Sequence, residues 1–239
     1  MRLLGFGTML PLLVCVALWS CRGPAAKVDP KGFVEVLEPN DSADYKHIKS
    51  DFFRNKKGKL CERKLVLARP YDSACRCEFK VFYDTGFYLS SSSREIPLDS
   101  VIDINTFVDI GSTDYSKDAR HVYYFFGNSD GGNRVIIEKA DAPTFRRLCE
   151  YRWGIDKNFV YYQTRPLPGL DLKQLQVLYP TDTSDHFIEY VKDDKLVFCD
   201  DLVINAADAA SFRVVSGKAW TAQDTNYRYK DGGRVGKRQ

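Results

Sequence analysis

Regularly spaced aspartates are the residues of this 239-residue chain whose pattern most suggests chemistry. Four of them each precede a run of β-branched and aromatic residues, at intervals of 34, 38 and 37 residues: Asp84, Asp118, Asp156 and Asp193. An array of carboxylates could serve acid–base catalysis or calcium binding. However, a catalytic carboxylate needs a singular environment that shifts its pKa, whereas a residue that recurs once per repeat has a structural role. We therefore predict no catalytic residue, and we interpret these aspartates as turn-forming.

Two closely spaced cysteines are the second candidate for chemistry. Cys75 and Cys77 flank one arginine, so both thiols would lie on the same face of an extended strand. Structural zinc sites use a wider spacing and a second ligand pair, and the three histidines of the chain are scattered. We expect no metal and no cofactor. A disulfide that joins Cys61 to Cys75 or Cys77 is the other interpretation, because exported proteins form such bonds.

The N-terminal segment predicts export. Arg2 precedes an apolar run from Leu3 to Trp19, as in a signal peptide. The run ends in Leu-Trp-Ser-Cys21, which resembles the lipobox of bacterial lipoproteins, so we predict cleavage after residue 20 and acylation of Cys21. Ordinary signal cleavage and an uncleaved anchor are the alternatives. Because no acidic run follows Cys21, we expect a membrane-anchored lipoprotein that faces the periplasm.

The overall charge limits the class of partner. The formal net charge is +3 and becomes +2 once Arg2 is removed, so the chain has no polyelectrolyte character and we expect no nucleic-acid partner. The basic stretch from Lys46 to Arg69 could bind anionic lipid or polysaccharide. We favour the interpretation that it forms the solvated edge of a hairpin, where lysines discourage strand addition.

Two short patterns recur and define a repeat. The first runs from each aspartate into an apolar pair, in Asp118-Ala-Arg-His-Val-Tyr-Tyr124, Asp156-Lys-Asn-Phe-Val-Tyr-Tyr162, Asp193-Asp-Lys-Leu-Val-Phe-Cys199 and, more weakly, Asp84-Thr-Gly-Phe-Tyr-Leu-Ser90. The second is Asp-x3-Phe, in Asp103 to Phe107, Asp141 to Phe145 and Asp208 to Phe212, with Asp171 to Leu175 as a variant. Two patterns at nearly fixed spacing indicate internal repeats.

The repeat predicts a mainly β protein. Runs such as Val160-Tyr161-Tyr162 favour strands, and the second pattern suits a single helical turn whose aspartate caps it and whose Phe packs at a corner. We expect about four hairpin-based repeats with a period of 34–38 residues and aromatic side chains between neighbouring units; a propeller-like or partly closed arrangement is the alternative. The predicted regions are a signal peptide (1–20), a tether (21–45), a hairpin region (46–80), the repeat domain (81–220) and a basic flexible tail (221–239).

The copy of the motif that begins at Asp156 resembles the signature of the DKNYVYY family, which comprises exported bacterial proteins. Asp156 to Tyr162 departs from that name only at Phe159, and the segment from Ala140 to Phe145 resembles the stretch after the motif in members of the family. The resemblance covers roughly Val81 to Trp220. It implies a repeat-built exported protein and no established activity.

These observations predict a non-enzymatic envelope lipoprotein whose β-repeat domain binds or scaffolds an envelope protein or glycan. One alternative is an enzyme that acts on envelope glycan or peptide, with a site formed by the insertion from Tyr179 to Asp185. The other is an immunity or inhibitor protein that blocks a partner. A buried carboxylate with a perturbed pKa in a cleft would favour the enzyme, and an exposed aromatic surface would favour binding.

Overall fold

The structure is a computed structural model that describes residues 34–69, 77–88, 95–111, 114–149, 152–179, 190–215 and 221–238. The predicted signal peptide, Cys21, Cys75 and the insertion beyond Tyr179 lie outside these ranges. Within the described ranges, no helix is long and apolar enough to span a membrane.

The N-terminal part forms one five-stranded sheet, here called the capping sheet. Its strands are β1 (Val34–Leu37), β2 (Tyr45–Lys49), β3 (Phe52–Asn55), β4 (Leu60–Arg69) and β5 (Cys77–Asp84), in the order β1-β5-β4-β3-β2. Only β1 and β5 are parallel to each other. Within the predicted hairpin region, the turn at Lys57-Gly58 joins β3 to β4, and Gly58 has a φ of +77° there. The predicted tether was too long, because its last residues already form β1, a 3-10 turn (Ser42–Asp44) and the start of β2.

A short connecting region leads from the capping sheet to the repeats. It consists of the β6–β7 hairpin (Gly86–Tyr88 and Glu95–Pro97) and one helical turn, α1 (Leu98–Val101). The weak fourth copy of the motif, which begins at Asp84, falls here. It therefore does not build a four-stranded unit like the others.

Four small sheets of four antiparallel strands follow, and we call them units 1 to 4. Unit 1 comprises β8 (Val108–Asp109), β9 (Tyr115–Lys117), β10 (Val122–Phe126) and β11 (Asn133–Ile136), and unit 2 comprises β12 (Arg146–Arg147), β13 (Trp153–Ile155), β14 (Val160–Tyr162) and β15 (Arg165–Leu167). Unit 3 comprises β16 (Gln176–Leu178), β17 (Tyr190–Lys192), β18 (Val197–Cys199) and β19 (Leu202–Val203). Unit 4 comprises β20 (Arg213–Val214), β21 (Ala222–Gln223), β22 (Tyr227–Lys230) and β23 (Gly233–Lys237). The mainly β, hairpin-based repeat architecture is confirmed. No closed barrel or propeller forms within the described part of the chain.

The apolar cores lie between consecutive sheets. In unit 1, Tyr123 packs with the capping sheet, whereas Val122 and Tyr124 pack with Phe145 and Tyr161 of unit 2. Successive side chains of a strand point to opposite faces, and both faces of this strand are covered. Two further clusters join unit 2 to unit 3 and unit 3 to unit 4 in the same manner. A run such as Val-Tyr-Tyr is buried throughout because its sheet lies between two others.

The prediction of a flexible tail over residues 221–239 is wrong for its described residues. This segment supplies three strands of unit 4, and Ala222 and Tyr229 in it are fully buried. The glycines that suggested disorder form the β22–β23 turn, in which Gly232 has a φ of +78°. The array therefore has four full units within 108–237.

Candidate functional site

The motif aspartate of unit 2 is a buried fastener that joins two parts of the unit. One carboxylate oxygen of Asp156, Oδ1, accepts the backbone amides of Asn158 (2.7 Å) and Phe159 (2.8 Å). Its other oxygen, Oδ2, accepts the backbone amide of Asp141 (2.7 Å) and the hydroxyl of Tyr161 (2.9 Å). The carboxylate thus closes its own turn, holds the preceding corner and satisfies a buried hydroxyl.

The same geometry recurs in every unit. The two local amides and the corner amide reach the carboxylate at 2.6–3.0 Å in units 1, 3 and 4, through Asp118, Asp193 and Asp224. A tyrosine hydroxyl completes the set at 2.6 Å in units 1 and 4, from Tyr123 and Tyr229. In unit 3 the equivalent residue is Phe198, so Asp193 has one donor fewer. The predicted turn-forming role is therefore what the geometry shows, with the addition of a long-range bond to the corner.

The corner aspartates form the predicted capped turns. Asp141 Oδ1 accepts the amide (3.1 Å) and hydroxyl (2.8 Å) of Thr144, and the amide of Phe145 donates to the Asp141 carbonyl at 2.9 Å, which closes one helical turn. The Thr144 hydroxyl in turn accepts the amide of Lys157 at 3.2 Å. Asp103 with Thr106, and Asp208 with Ser211, repeat this arrangement in units 1 and 4.

In three of the motif aspartates these hydrogen bonds favour the ionised carboxylate. Burial opposes ionisation of Asp118, but the Tyr123 hydroxyl and three backbone amides offset it and hold the pKa of Asp118 below its usual value. The same balance lowers the pKa of Asp193 and Asp224. Tyr123 donates its hydroxyl to Asp118, and burial together with this hydrogen bond raises the pKa of Tyr123. A general acid at neutral pH needs a raised carboxyl pKa, so these aspartates are poorly suited to that role.

We expect Asp156→Ala to lower the free energy of unfolding by about 2–4 kcal/mol. The substitution leaves three backbone amides and one buried hydroxyl without their acceptor, and each unsatisfied buried group costs about 1–3 kcal/mol. Urea denaturation measures the change. Asp194→Ala, beside the equivalent aspartate of unit 3 but exposed, is the matched control and should change stability by less than about 0.5 kcal/mol. Equal effects of the two variants would contradict the fastening role.

We also expect the protein to lose stability in acid. A carboxylate whose folded-state pKa lies below its unfolded value contributes stability above the unfolded pKa, about 4, and loses that contribution as the pH falls through the folded pKa. Asp118, Asp193 and Asp224 all have lowered pKa values. Thermal melts between pH 7 and pH 2 should show a flat melting temperature down to about pH 4.5 and a fall below it. A melting temperature that rises on acidification would contradict this assignment.

Asp84 departs from the repeated arrangement. Its Oδ1 accepts the amide of Gly86 at 2.9 Å, but Lys64 Nζ donates to Oδ2 at 2.7 Å in place of a tyrosine and a corner amide. Both side chains are largely buried, with 4% of Lys64 and 12% of Asp84 exposed. Asp84 therefore joins two neighbouring strands of the capping sheet, β4 and β5.

The corner phenylalanines lie between units, as predicted. The ring of Phe145 packs against Tyr115 of unit 1 and Tyr161 of unit 2, with centroid distances of 5.1 and 5.6 Å. Phe212 makes the corresponding pair of contacts with Tyr190 and Tyr229, at 5.3 Å each. Phe107 packs against Tyr123 and, on the other side, against Phe52 of the capping sheet. Tyr162 packs against Trp153 on the far face of unit 2.

The capping sheet makes contacts to unit 1 of the same kind that unit 1 makes to unit 2. In unit 1, Lys117 Nζ crosses to the next corner and donates to the Phe145 carbonyl at 2.9 Å. Lys49 of the capping sheet makes the same bond to the Phe107 carbonyl, also at 2.9 Å. With Phe52 against Phe107, both contacts that a unit offers to its successor are present. The capping sheet therefore closes the N-terminal end of the array.

A buried arginine joins the capping sheet to unit 1. Arg134 donates to Glu62 Oε1 from Nη2 (2.7 Å) and Nε (3.0 Å), and to Ser116 Oγ from Nη1 (2.5 Å). Only 3% of Arg134 and 4% of Glu62 are exposed. Three phenylalanine rings surround the guanidinium at 5.4–5.5 Å, from Phe52, Phe107 and Phe125. This contact couples the two parts of the molecule through charge as well as apolar packing.

An aromatic cluster lies on the opposite face of the capping sheet. Tyr45 and Tyr83 stack with centroids 3.8 Å apart, and Phe53 meets the edges of Tyr83 and His47 at 5.0 Å. His47 is exposed and the other three rings are half-buried. Arg63, which forms an ion pair with Glu38 at 2.7 Å, belongs to the same face because it pairs with Tyr83. Aromatic residues and arginine are enriched at protein interfaces, so this ring cluster is the candidate binding surface.

The predicted disulfide of Cys61 with Cys77 is contradicted. Cys61 is a buried thiol outside any disulfide. The register pairs Glu62 with Asp84 and Arg69 with Glu78, so Cys61 and Cys77 lie at opposite ends of the β4–β5 ladder. Their Cα atoms are much farther apart than the roughly 7 Å that a disulfide allows. Burial raises the pKa of Cys61, which makes its thiol less reactive. Cys75 lies outside the described residues.

Three important residues were not identified from the sequence. Asp224 has the same tyrosine spacing as Asp156, in Asp-Thr-Asn-Tyr-Arg-Tyr229, and that spacing could have identified unit 4. Arg134 and Glu62 carry no comparable signal, because a lone arginine in a strand usually faces solvent. The carboxylates, thiols and imidazoles in the described ranges include no group of three or more placed to hold a metal ion.

Comparison with known proteins agrees with the repeat geometry. The model of the DKNYY family matches residues 115–235, which contain units 1 to 4 almost completely. No curated protein and no solved structure matches the chain significantly. The match begins at the first strand that leads into a complete motif and ends in β23, so it includes the segment that the sequence had suggested to be a tail. With half of its length matched and the motif aspartates in equivalent positions, the chain belongs to the DKNYY family.

Proposed function

We propose that this protein is a non-catalytic lipoprotein of the bacterial cell envelope, in which a stack of β units holds a partner-binding surface. The observation that carries the proposal is the ring cluster on the capping sheet, formed by Tyr45, His47, Phe53 and Tyr83. The sheet packs against the repeats with its other face, through Phe52, Leu60 and Glu62. The rings therefore lie on the face directed away from the array.

The aspartates support a scaffolding role. Each of the four motif carboxylates, from Asp118 to Asp224, already accepts three or four hydrogen bonds from its own unit. These contacts fix the turns and corners within each unit, and the buried Arg134–Glu62 pair joins unit 1 to the capping sheet. Rigid presentation reduces the conformational entropy lost on binding. We propose an envelope protein or glycan as the partner and Cys21 as the lipid attachment point.

The alternative functions have less support. The insertion proposed to form an enzyme site lies outside the described residues except for Tyr179, which is 53% exposed. An immunity or inhibitor protein would use the same ring cluster to block its target. A scaffold protein and an inhibitor would therefore use the same surface, and they would differ only in whether binding blocks the partner.

Fractionation of cells that express the full chain tests the anchor. We expect the protein in the membrane fraction, an intact mass that corresponds to an acylated N-terminal Cys21, and release of Cys21→Ser into the soluble fraction. An unmodified N-terminus or a retained Met1 would exclude the lipoprotein assignment.

Partner capture tests the binding surface. We expect that Tyr83→Ala, which removes the centre of the ring cluster, abolishes cross-linking of the full chain to its envelope partner. Tyr179→Ala, another accessible tyrosine in unit 3, is the matched control and should retain the cross-link. Retention by both variants, with unchanged melting temperatures, would exclude the ring cluster as the binding surface.

A further inference from the structure

The outer face of unit 4 differs in residue type from the equivalent faces of the other units. The side chains that face the next unit are apolar or aromatic in units 1 to 3: Tyr115, Val122 and Tyr124; Trp153, Val160 and Tyr162; Tyr190, Val197 and Cys199. The equivalent residues of unit 4 are Thr221, Arg228 and Lys230. Polar outer faces are expected at the ends of repeat arrays. Uncharged polar residues would also form such an end, so its position in the array does not explain why these residues are cationic.

Positive charge is concentrated at this end of the chain. Residues 213–238 contain seven basic and two acidic residues, a net charge of +5. Since the whole chain has a net charge of +3, the remaining residues carry −2. One of the two acids, Asp224, is 1% exposed and bound within the unit. The charge at the surface of this end is therefore strongly positive, which favours association with an anionic surface.

The sheet geometry places these charges together. Ala222 and Tyr229 point towards unit 3, so the residues that alternate with them point outward, including Arg213, Arg228 and Lys230. Arg238, which follows the edge strand β23, is in register with Asn226 and lies on the outward side, whereas Arg234 and Lys237 pair with Tyr229 and Tyr227 of the inward face. We define the terminal cationic face as Arg213, Arg228, Lys230 and Arg238.

We propose that the terminal cationic face docks onto an anionic phospholipid surface. Each lysine or arginine close to such a surface strengthens association about fivefold. The cationic side chains of this face can bind headgroup phosphates while their aliphatic stems lie against the interfacial layer. This contact goes beyond the proposed function, because it involves neither the ring cluster nor the acyl chains.

The anchor and the terminal cationic face are compatible with one membrane. Twelve residues separate Cys21 from Val34 and reach about 40 Å when extended. The four steps from the capping sheet to unit 4 amount to a similar length, at about 10 Å for each pair of packed sheets. A chain held at Cys21 can therefore present its opposite end to the same bilayer. Attachment raises the local concentration, so a modest intrinsic affinity suffices.

Co-sedimentation with vesicles tests the proposal. The chain beginning at Arg22 is suitable, because it lacks the acyl chains and every contact described above lies at or after Val34. We expect binding to vesicles of equal parts phosphatidylglycerol and phosphatidylcholine, little binding to pure phosphatidylcholine, and weakening between 50 and 300 mM salt. Three exposed residues can be neutralised together as R213Q/K230Q/R238Q, which should weaken binding about a hundredfold.

A variant with the same change in charge provides the control. K46Q/K57Q/K59Q removes three exposed lysines from the capping sheet and should bind as the wild type does. Charge reversal in K230E supplies a second, single-residue test with a loss of about twentyfold. Equal binding to both vesicle types, equal losses in the two triple variants, or binding to anionic polysaccharide without binding to phosphatidylglycerol would overturn the proposal. Lipidation at Cys21 is measured separately by mass, so failure of one assignment leaves the other intact.

Discussion

Arg134→Met should lower the free energy of unfolding by about 3–5 kcal/mol, because it leaves Glu62 buried without its counter-charge. The two side chains are 3% and 4% exposed and lie 2.7 Å apart. The substitution also removes the donor to Ser116 and the cation enclosed by three phenylalanine rings. Denaturant unfolding, monitored by tryptophan fluorescence and by circular dichroism, measures the loss.

The double variant separates charge from packing. Replacement of both members of a buried ion pair by apolar residues of similar size is often neutral or stabilising, so E62L/R134M should recover most of the stability lost in R134M. R165M removes the Arg165–Asp201 pair, in which Arg165 is 74% exposed, and should cost less than about 1 kcal/mol. A small effect of R134M, or a double variant no more stable than R134M, would show that this pair does not hold the capping sheet to unit 1.

The sequence predicted the units well because their constraints are local. An aspartate that closes its own turn and a tyrosine five residues later are encoded within one short motif, as in Asp156 and Tyr161. The corner at Asp141 was also predictable, since its cap and its phenylalanine are four residues apart. Repetition made both patterns visible above the background of single strands.

The contacts between the capping sheet and unit 1 could not be predicted, because the residues that form them are distant in sequence. Glu62 and Arg134 are separated by 72 residues, and neither belongs to a repeated pattern. Lys49 is similar: nothing in its neighbourhood indicates that it substitutes for Lys117 by binding the Phe107 carbonyl 58 residues away. Residues of the capping sheet occur once, so no internal comparison could identify them.

The flexible tail was predicted wrongly for a different reason. Basic residues and glycines at a chain end suggest fraying, but an end cap of a repeat array requires a polar outer face. Residues 221–238 therefore combine a buried inward set, Ala222 and Tyr229, with an outward polar set. The amino-acid composition of the segment does not distinguish the inward set from the outward set, whereas the alternation of side-chain direction along β22 does.

Phe145→Ala should lower the free energy of unfolding by about 3–5 kcal/mol, because Phe145 is 2% exposed and fills the space between units 1 and 2. Its ring lies against Gly154, where an added Cβ would approach Phe145 Cζ to 2.3 Å. Unit 3 solves the same packing problem with a smaller corner residue, Leu175, and a larger strand residue, Val191. The chain therefore contains two complementary pairs, Phe with Gly and Leu with Val.

Exchange of one pair for the other tests whether this complementarity holds the units together. Gly154→Val alone should be strongly destabilising, by about 1–3 kcal/mol or more, because the ring and backbone must shift. Phe145→Leu alone leaves a cavity. The double variant F145L/G154V should be more stable than the sum of the two single effects predicts, with a coupling energy of about 1 kcal/mol or more. G236A, whose added Cβ meets nothing within 4 Å, controls for replacement of a strand glycine and should change stability by less than about 0.5 kcal/mol. Additive effects would mean that the corner phenylalanine and the small strand residue do not constrain each other.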